Sequence, residues 1–266
     1  MNWLDLVDTS RVLLFAYILT RVSGIVIVAP VFGGSDIPMQ FRALFAFSLA
    51  ILITPIQWNV PIQEPTTLPA FAIMIGGELL VGLVIGLGVN MLFTGLYTAG
   101  DLIGRIGGLS ASQLFDPVSG EQVPVLGRFL QLLGIVVFAC VGGLRLMIGS
   151  LIDTFEAIPP GSGNVNLTVA ESMITIVSVT FSLAFRVAAP ATVGILVSMI
   201  AMGVLGRTLP QLNLMSVGFG INTMIMFIVL LFTIGTAMWC FQERFIYVLD
   251  VIFNSLFTAV PLDYLE

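Results

Sequence analysis

The chain has 266 residues, 58% hydrophobic and 9% charged, with a formal net charge of -6 and a mean hydropathy of +1.10. A soluble domain carries roughly 25% charged residues, so composition argues against a water-soluble globule and for an integral membrane protein. Lysine and histidine are absent, every cation is arginine, and no basic patch points to nucleic acid.

The opening MNWLDLVDTS carries Asp5 and Asp8. A cleavable signal needs a positive n-region, so 12–31 reads as a retained first span. Further apolar blocks follow at 41–57, 70–98, 125–152, 169–205 and 215–240. The second is short for a span of ~20 residues and ends at Pro55. The third continues as helix through Gly100, Gly104 and Gly108. The fifth would extend roughly 55 Å at ~1.5 Å per residue, against a hydrocarbon core of ~30 Å. Pro190 near its centre predicts a kink or break. The expected fold is an all-α integral membrane protein of about six long hydrophobic helical segments with breaks, arranged as helical hairpins. Such uneven lengths fit a chain that packs against other membrane proteins and projects beyond the bilayer.

Turn chemistry separates the blocks: GGSDIP at 33–38, an extended link at 59–69 with Pro61, Pro65 and Pro69, a loop at 158–164, and a tight hairpin connection at 206–213. Arg42, Arg105, Arg128 and Arg207 fall on one side of the spans, and Arg11, Arg145 and Arg244 on the other. The bias leans towards a cytoplasmic 206–213 hairpin and non-cytoplasmic termini. After the last block, Glu243, Tyr247, Asp250, Asn254 and Thr258 recur at helical spacing as a polar stripe. This amphipathic helix lies in the interface or docks on a partner.

Charges within apolar blocks face protein or water and pair with one another. Arg21, Glu78 and Arg186 are such charges, as a polar lining, an ion relay or a structural pair that fixes helix packing. Asp101 and Arg105, four apart, pair on one helix face. Gly100, Gly104 and Gly108 form one small-residue ladder and Gly82 and Gly86 another, which lets helix backbones approach closely. Cys140 and Cys240 read as small buried hydrophobes. Met199, Met202, Met215, Met224, Met226 and Met238 cluster in the last two blocks, as gap-filling packing or a deformable apolar seal. Enzyme chemistry lacks its usual bases and nucleophiles without histidine or lysine. No Cys/His metal spacing and no lysine-containing phosphate loop are present. No cofactor is expected.

The segment 99–128, AGDLIGRIGGLSASQLFDPVSGEQVPVLGR, is rich in glycine and charge yet lies between very apolar stretches. An irregular loop at membrane depth must be buried in protein or line an aqueous path. It is therefore the best candidate for a pore element or gate. A small-molecule secondary transporter using Glu78, Arg21 and Arg186 is the competing expectation. It would show an inverted repeat with paired broken helices.

The motifs RVSGIVIVAPVFGGSDIPMQFR (21–42), AGDLIGRIGGLSASQLFDP (99–117), AAP (188–190) and GRTLPQLN (206–213) occur in this order. With them the whole chain resembles the FliR/SctT family of type III secretion export-gate proteins, more closely its flagellar branch than the virulence (SctT-type) one. The resemblance implies a non-enzymatic core component of the flagellar export gate at the bacterial inner membrane, rising towards the periplasm. It implies partners homologous to FliP, FliQ and FlhB, and unfolded flagellar subunits as cargo. It also implies a FliP-like part at 1–187 and a FliQ-like hairpin with amphipathic tail at 188–266. Carried onto this sequence, Gly107, Gly108, Leu109, Ser110, Leu114, Phe115, Asp116 and Pro117 belong to a channel plug. Arg207, Pro210, Gln211 and Asn213 belong to a hairpin at the cytoplasmic mouth. Gly218-Phe219-Gly220 departs from the family pattern, where a proline often follows Gly-Phe, and predicts a less sharply bent helix there.

Overall fold

Runs of apolar residues without strand-like alternation satisfy their peptide groups internally as helices, the arrangement that lipid demands. The computed structural model describes residues 9–30, 32, 37–60, 62–109, 124–162, 167–208 and 214–257. It holds seven α-helices: α1 (Thr9–Val28), α2 (Met39–Ile53), α3 (Leu68–Ile106), α4 (Val125–Cys140), α5 (Gly143–Ala157), α6 (Leu167–Thr208) and α7 (Leu214–Phe257). A short 3-10 turn, Thr54–Gln57, extends α2 past Pro55. The protein is an all-α membrane protein. Among the described residues, α1, α2 with its 3-10 extension, α3, α6 and α7 are long and apolar enough to cross a membrane. A sixth span arises if α4 and α5 are counted as one.

Four expectations are corrected. The block at 125–152 is two helices: Gly142 adopts φ +76, a left-handed conformation that ends α4 and that glycine enters at little cost. Of the kink or break expected at Pro190, the break is absent: α6 stays helical over 42 residues. The side chain of Pro190 is exposed. The polar-striped segment after 240 is the continuation of α7, helical over 44 residues. Within it Glu243, Tyr247, Asp250 and Asn254 are all exposed. Finally, α3 stops at Ile106, so Gly108 lies beyond the helix with φ +87.

The chain forms two compact units. The first comprises residues 1–91, 142–177 and 245–266, the second 92–141 and 178–244. In the first, α1 packs on α3 through glycine. A Cβ at Gly82 would fall on the carbonyl of Arg21, one at Gly24 would lie 2.8 Å from the carbonyl of Leu79, and one at Gly86 would lie 3.0 Å from that of Ile25. Phe32 stacks on Phe45 at 4.4 Å and Phe15 meets Phe47 edge-on at 5.6 Å, tying α2 to α1. In the second unit, Gly100 of α3 meets Gly127 of α4. A Cβ on Gly100 would sit 2.6 Å from the Gly127 Cα, and one on Gly127 would sit 2.7 Å from the carbonyl of Tyr97. Gly104 has only ordinary contacts at 3.8 Å, so of the Gly100–Gly104–Gly108 ladder the close approach rests on Gly100. Phe93 contacts Phe138 at 5.6 Å and Phe241 at 5.1 Å. These rings form an aromatic core among α3, α4 and α7.

Cys140 is an exposed free thiol and Cys240 a half-buried one, correcting their expected burial. Each sits on a helix face that the chain itself leaves uncovered. Large apolar side chains are likewise exposed, among them Phe181 and Phe185 on α6 and Leu231, Phe232 and Trp239 on α7. Such continuous apolar surface marks contact with lipid or partner proteins.

Candidate functional site

The first unit holds a buried polar cluster. Glu78, Gly82 and Gly86 share one face of α3 by four-residue spacing. The glycines bring α1 close enough for Arg21 to reach Glu78. Both side chains are fully buried. Arg21 Nε donates to Glu78 Oε2 at 2.6 Å. Its Nη1 donates to the Thr154 carbonyl at 3.0 Å and to Thr154 Oγ1 at 3.2 Å, and its Nη2 to the Ile158 carbonyl at 3.0 Å. The other carboxylate oxygen, Oε1, accepts the Gly161 N–H at 2.8 Å. Phe155 lies flat against the guanidinium, 4.1 Å from its ring centroid to Cζ, a cation–π contact.

The cluster therefore joins three helices. Arg21 caps the carbonyls at the C-terminus of α5, where a cation also complements the helix dipole. Glu78 fixes the turn that follows. Gly161 adopts φ +88, and a Cβ there would lie 3.0 Å from the Tyr17 ring. Tyr17 is fully buried, and its hydroxyl donates to Met74 Sδ at 3.3 Å. With both charges compensated and no exposed edge, this arrangement is built to hold α1, α3 and α5 together.

The second unit holds the stem of the 107–122 segment. Gly107 N–H donates to the Ile103 carbonyl at 2.8 Å. The Gly107 carbonyl accepts Thr223 Oγ1 of α7 at 3.2 Å. Met226, fully buried, sits where a Gly107 side chain would be. Gly108 then takes a left-handed conformation, and Leu109 is half-buried. Ser110, Leu114, Phe115, Asp116 and Pro117 lie outside the described residues. The segment's far end is fixed too, because α4 begins at Val125 and its Gly127 packs on α3. Both stems thus converge on one stretch of α3. Asp101 and Arg105 pair at 2.9 Å, with Arg105 donating through Nε to both carboxylate oxygens.

Arg186 is exposed on α6 and does not join Arg21 and Glu78. Arg207 is exposed in the last turn of α6. Pro210, Gln211 and Asn213 lie outside the described residues. The methionines divide: Met226 and Met238 are buried, whereas Met199 and Met224 are exposed.

The family described as bacterial export proteins, family 1, matches residues 12–247. The chain belongs to this family. It is 30% identical to the flagellar biosynthetic protein FliR of Aquifex aeolicus over 85% of this chain and 88% of that protein. FliR of Bacillus subtilis is 29% identical over 82% and 84% of the two chains. FliR of Escherichia coli is 27% identical over 82% and 80%. The match spans both the Arg21–Glu78 cluster and the Gly107 stem, so both lie within the export-family domain.

Sequence reasoning singled out the charges of this export-family chain but missed Thr154, Phe155, Ile158 and Gly161. All four act through backbone groups or an aromatic face, which leave no motif. Gly161 alone carried a signal, as the glycine after Pro159-Pro160. Thr223 was likewise hidden, and Met226 was visible only as one of a methionine cluster, since their role depends on α7 lying beside the end of α3.

Proposed function

We propose that the chain is a core, non-enzymatic component of the flagellar type III export apparatus in the bacterial inner membrane. It contributes there to a protein-conducting channel and its plug. The family match across 12–247, with relatives named as flagellar biosynthetic proteins, is the observation that carries this assignment. The apolar helix faces left open by the chain support an assembly with homologues of FliP, FliQ and FlhB. In this assembly residues 1–187 play a FliP-like part and 188–266 a FliQ-like part, extending towards the periplasm. Unfolded flagellar subunits are the cargo, and the driving energy comes from elsewhere in the apparatus.

The plug is the 107–122 segment. Its geometry suits a gate: two pinned stems, a left-handed glycine at the exit from α3, and a buried methionine beneath Gly107. A frame of this kind lets the segment change conformation without moving the helices that carry it. The closed and open forms then differ by a few kcal/mol and are biased by cargo or partner movement. Deleting 107–122 tests this. The assembled complex should be recovered at near-normal yield, while cells become permeable to small solutes. Unchanged permeability in cells that contain the assembled complex would refute the plug.

A further inference from the structure

Arg21, Arg105 and Arg128 each hydrogen-bond to a side chain of this protein, and Arg42 to the Ile37 carbonyl. Arg186 differs. It is exposed, and among the described residues no hydrogen bond or ion pair reaches it. It lies near the middle of a candidate span, Val169–Arg207. Exposed apolar side chains continue on both sides of it: Phe181 and Phe185 before, Val193, Val197 and Ile200 after. Whatever covers those side chains also removes water from the guanidinium. Arginine cannot shed its charge, and an unpaired charge in such surroundings is costly.

A second feature coincides with the first. Arg186, Ala189, Pro190 and Val193 lie on one face of α6 by three- and four-residue spacing, and all are exposed. Pro190 has no N–H, and the carbonyl it leaves without its helical donor is that of Arg186. One position therefore presents a cation and a carbonyl without its helical donor, beside one small residue, Ala189, that permits close backbone approach.

We propose that this face receives a membrane helix of a partner subunit, which places an aspartate or glutamate carboxylate against Arg186. The proposal rests on the chain being a subunit of a larger export assembly. A carboxylate supplies two oxygens in the spacing that a guanidinium fork matches. At ~1.5 Å per residue the 39-residue span Val169–Arg207 is roughly 58 Å long, about twice a hydrocarbon core of ~30 Å, so a lipid headgroup at Arg186 is the alternative the test must exclude.

The test uses affinity-tagged full-length chain expressed with its own export genes, with recovery normalised to the chain present in membranes. Arg186→Gln should reduce co-purified partner membrane proteins at least tenfold, and Arg186→Lys should retain an intermediate share. Arg186→Glu, combined with arginine at the partner's carboxylate, should restore recovery. A second measurement avoids altering the charge. Ala189→Cys, in a chain with Cys140→Ser and Cys240→Ser, should resist a membrane-impermeant maleimide in the assembled complex. Normal partner recovery with Arg186→Gln would overturn the proposal and leave a lipid headgroup as the counter-ion. Rapid labelling of the Ala189→Cys complex would overturn it in favour of a wet channel wall. If the wild-type chain recovers no partner membrane proteins, the export-assembly assignment itself fails.

Discussion

Replacing Glu78 with alanine isolates what the buried cluster contributes. The carboxylate holds Arg21 Nε at 2.6 Å and the Gly161 N–H at 2.8 Å. Its loss leaves a fully buried cation facing only the Thr154 and Ile158 oxygens. Removing one partner of a buried ion pair costs about 3–5 kcal/mol, because the remaining charge is uncompensated. At about 2–4 °C per kcal/mol for a chain of this size, the thermal midpoint should fall by about 6–20 °C. Temperature-resolved size-exclusion chromatography of the detergent-purified complex measures it. Asp101→Ala is the matched control, since it breaks an ion pair whose arginine is 63% exposed. Its midpoint should stay at the wild-type value, because solvent already screens such a pair. A Glu78→Ala midpoint within about 2 °C of wild type would show that the cluster does not hold α1, α3 and α5 together.

Glycine substitutions should separate close approach from mere helix propensity. Gly82→Ala drives a methyl into the Arg21 carbonyl and should destabilise by about 1–3 kcal/mol. Gly76→Ala meets nothing within 4 Å and should stabilise by about 0.5–1 kcal/mol. The two melting midpoints must therefore move in opposite directions. Gly161→Ala combines a left-handed backbone with a contact on Tyr17. It should cost at least about 1–2 kcal/mol, seen as a lowered midpoint and faster proteolysis after α5. Met226→Ala removes the side chain under Gly107 and should raise solute leakage in a dye-uptake assay, without the full effect of deleting 107–122.

The apolar blocks were legible because lipid imposes long uninterrupted runs. The Arg21–Glu78 pair was among the expected arrangements because two charges inside such runs need one another. The Gly82–Gly86 ladder was visible in spacing alone, and so was Asp101–Arg105. What escaped were features decided by the backbone or by neighbours. Gly142-Gly143 inside an apolar block gives no hint of which glycine turns left-handed. Pro190 reads as a site of kink or break, yet α6 continues through it. The polar stripe after 240 suggested a separate helix, although nothing at Cys240 or Phe241 supplies a stop. Arg21 donates half of its hydrogen bonds to backbone carbonyls, which every residue possesses and no pattern reveals.

The meeting of Gly100 with Gly127, together with the Thr223 grip on Gly107, gives the intervening peptide a leash of fixed length. Residues 110–123, at ~3.4 Å each out and back, can reach no farther than roughly 24 Å. In the plug role proposed above, that length bounds the width of passage this chain could close by itself.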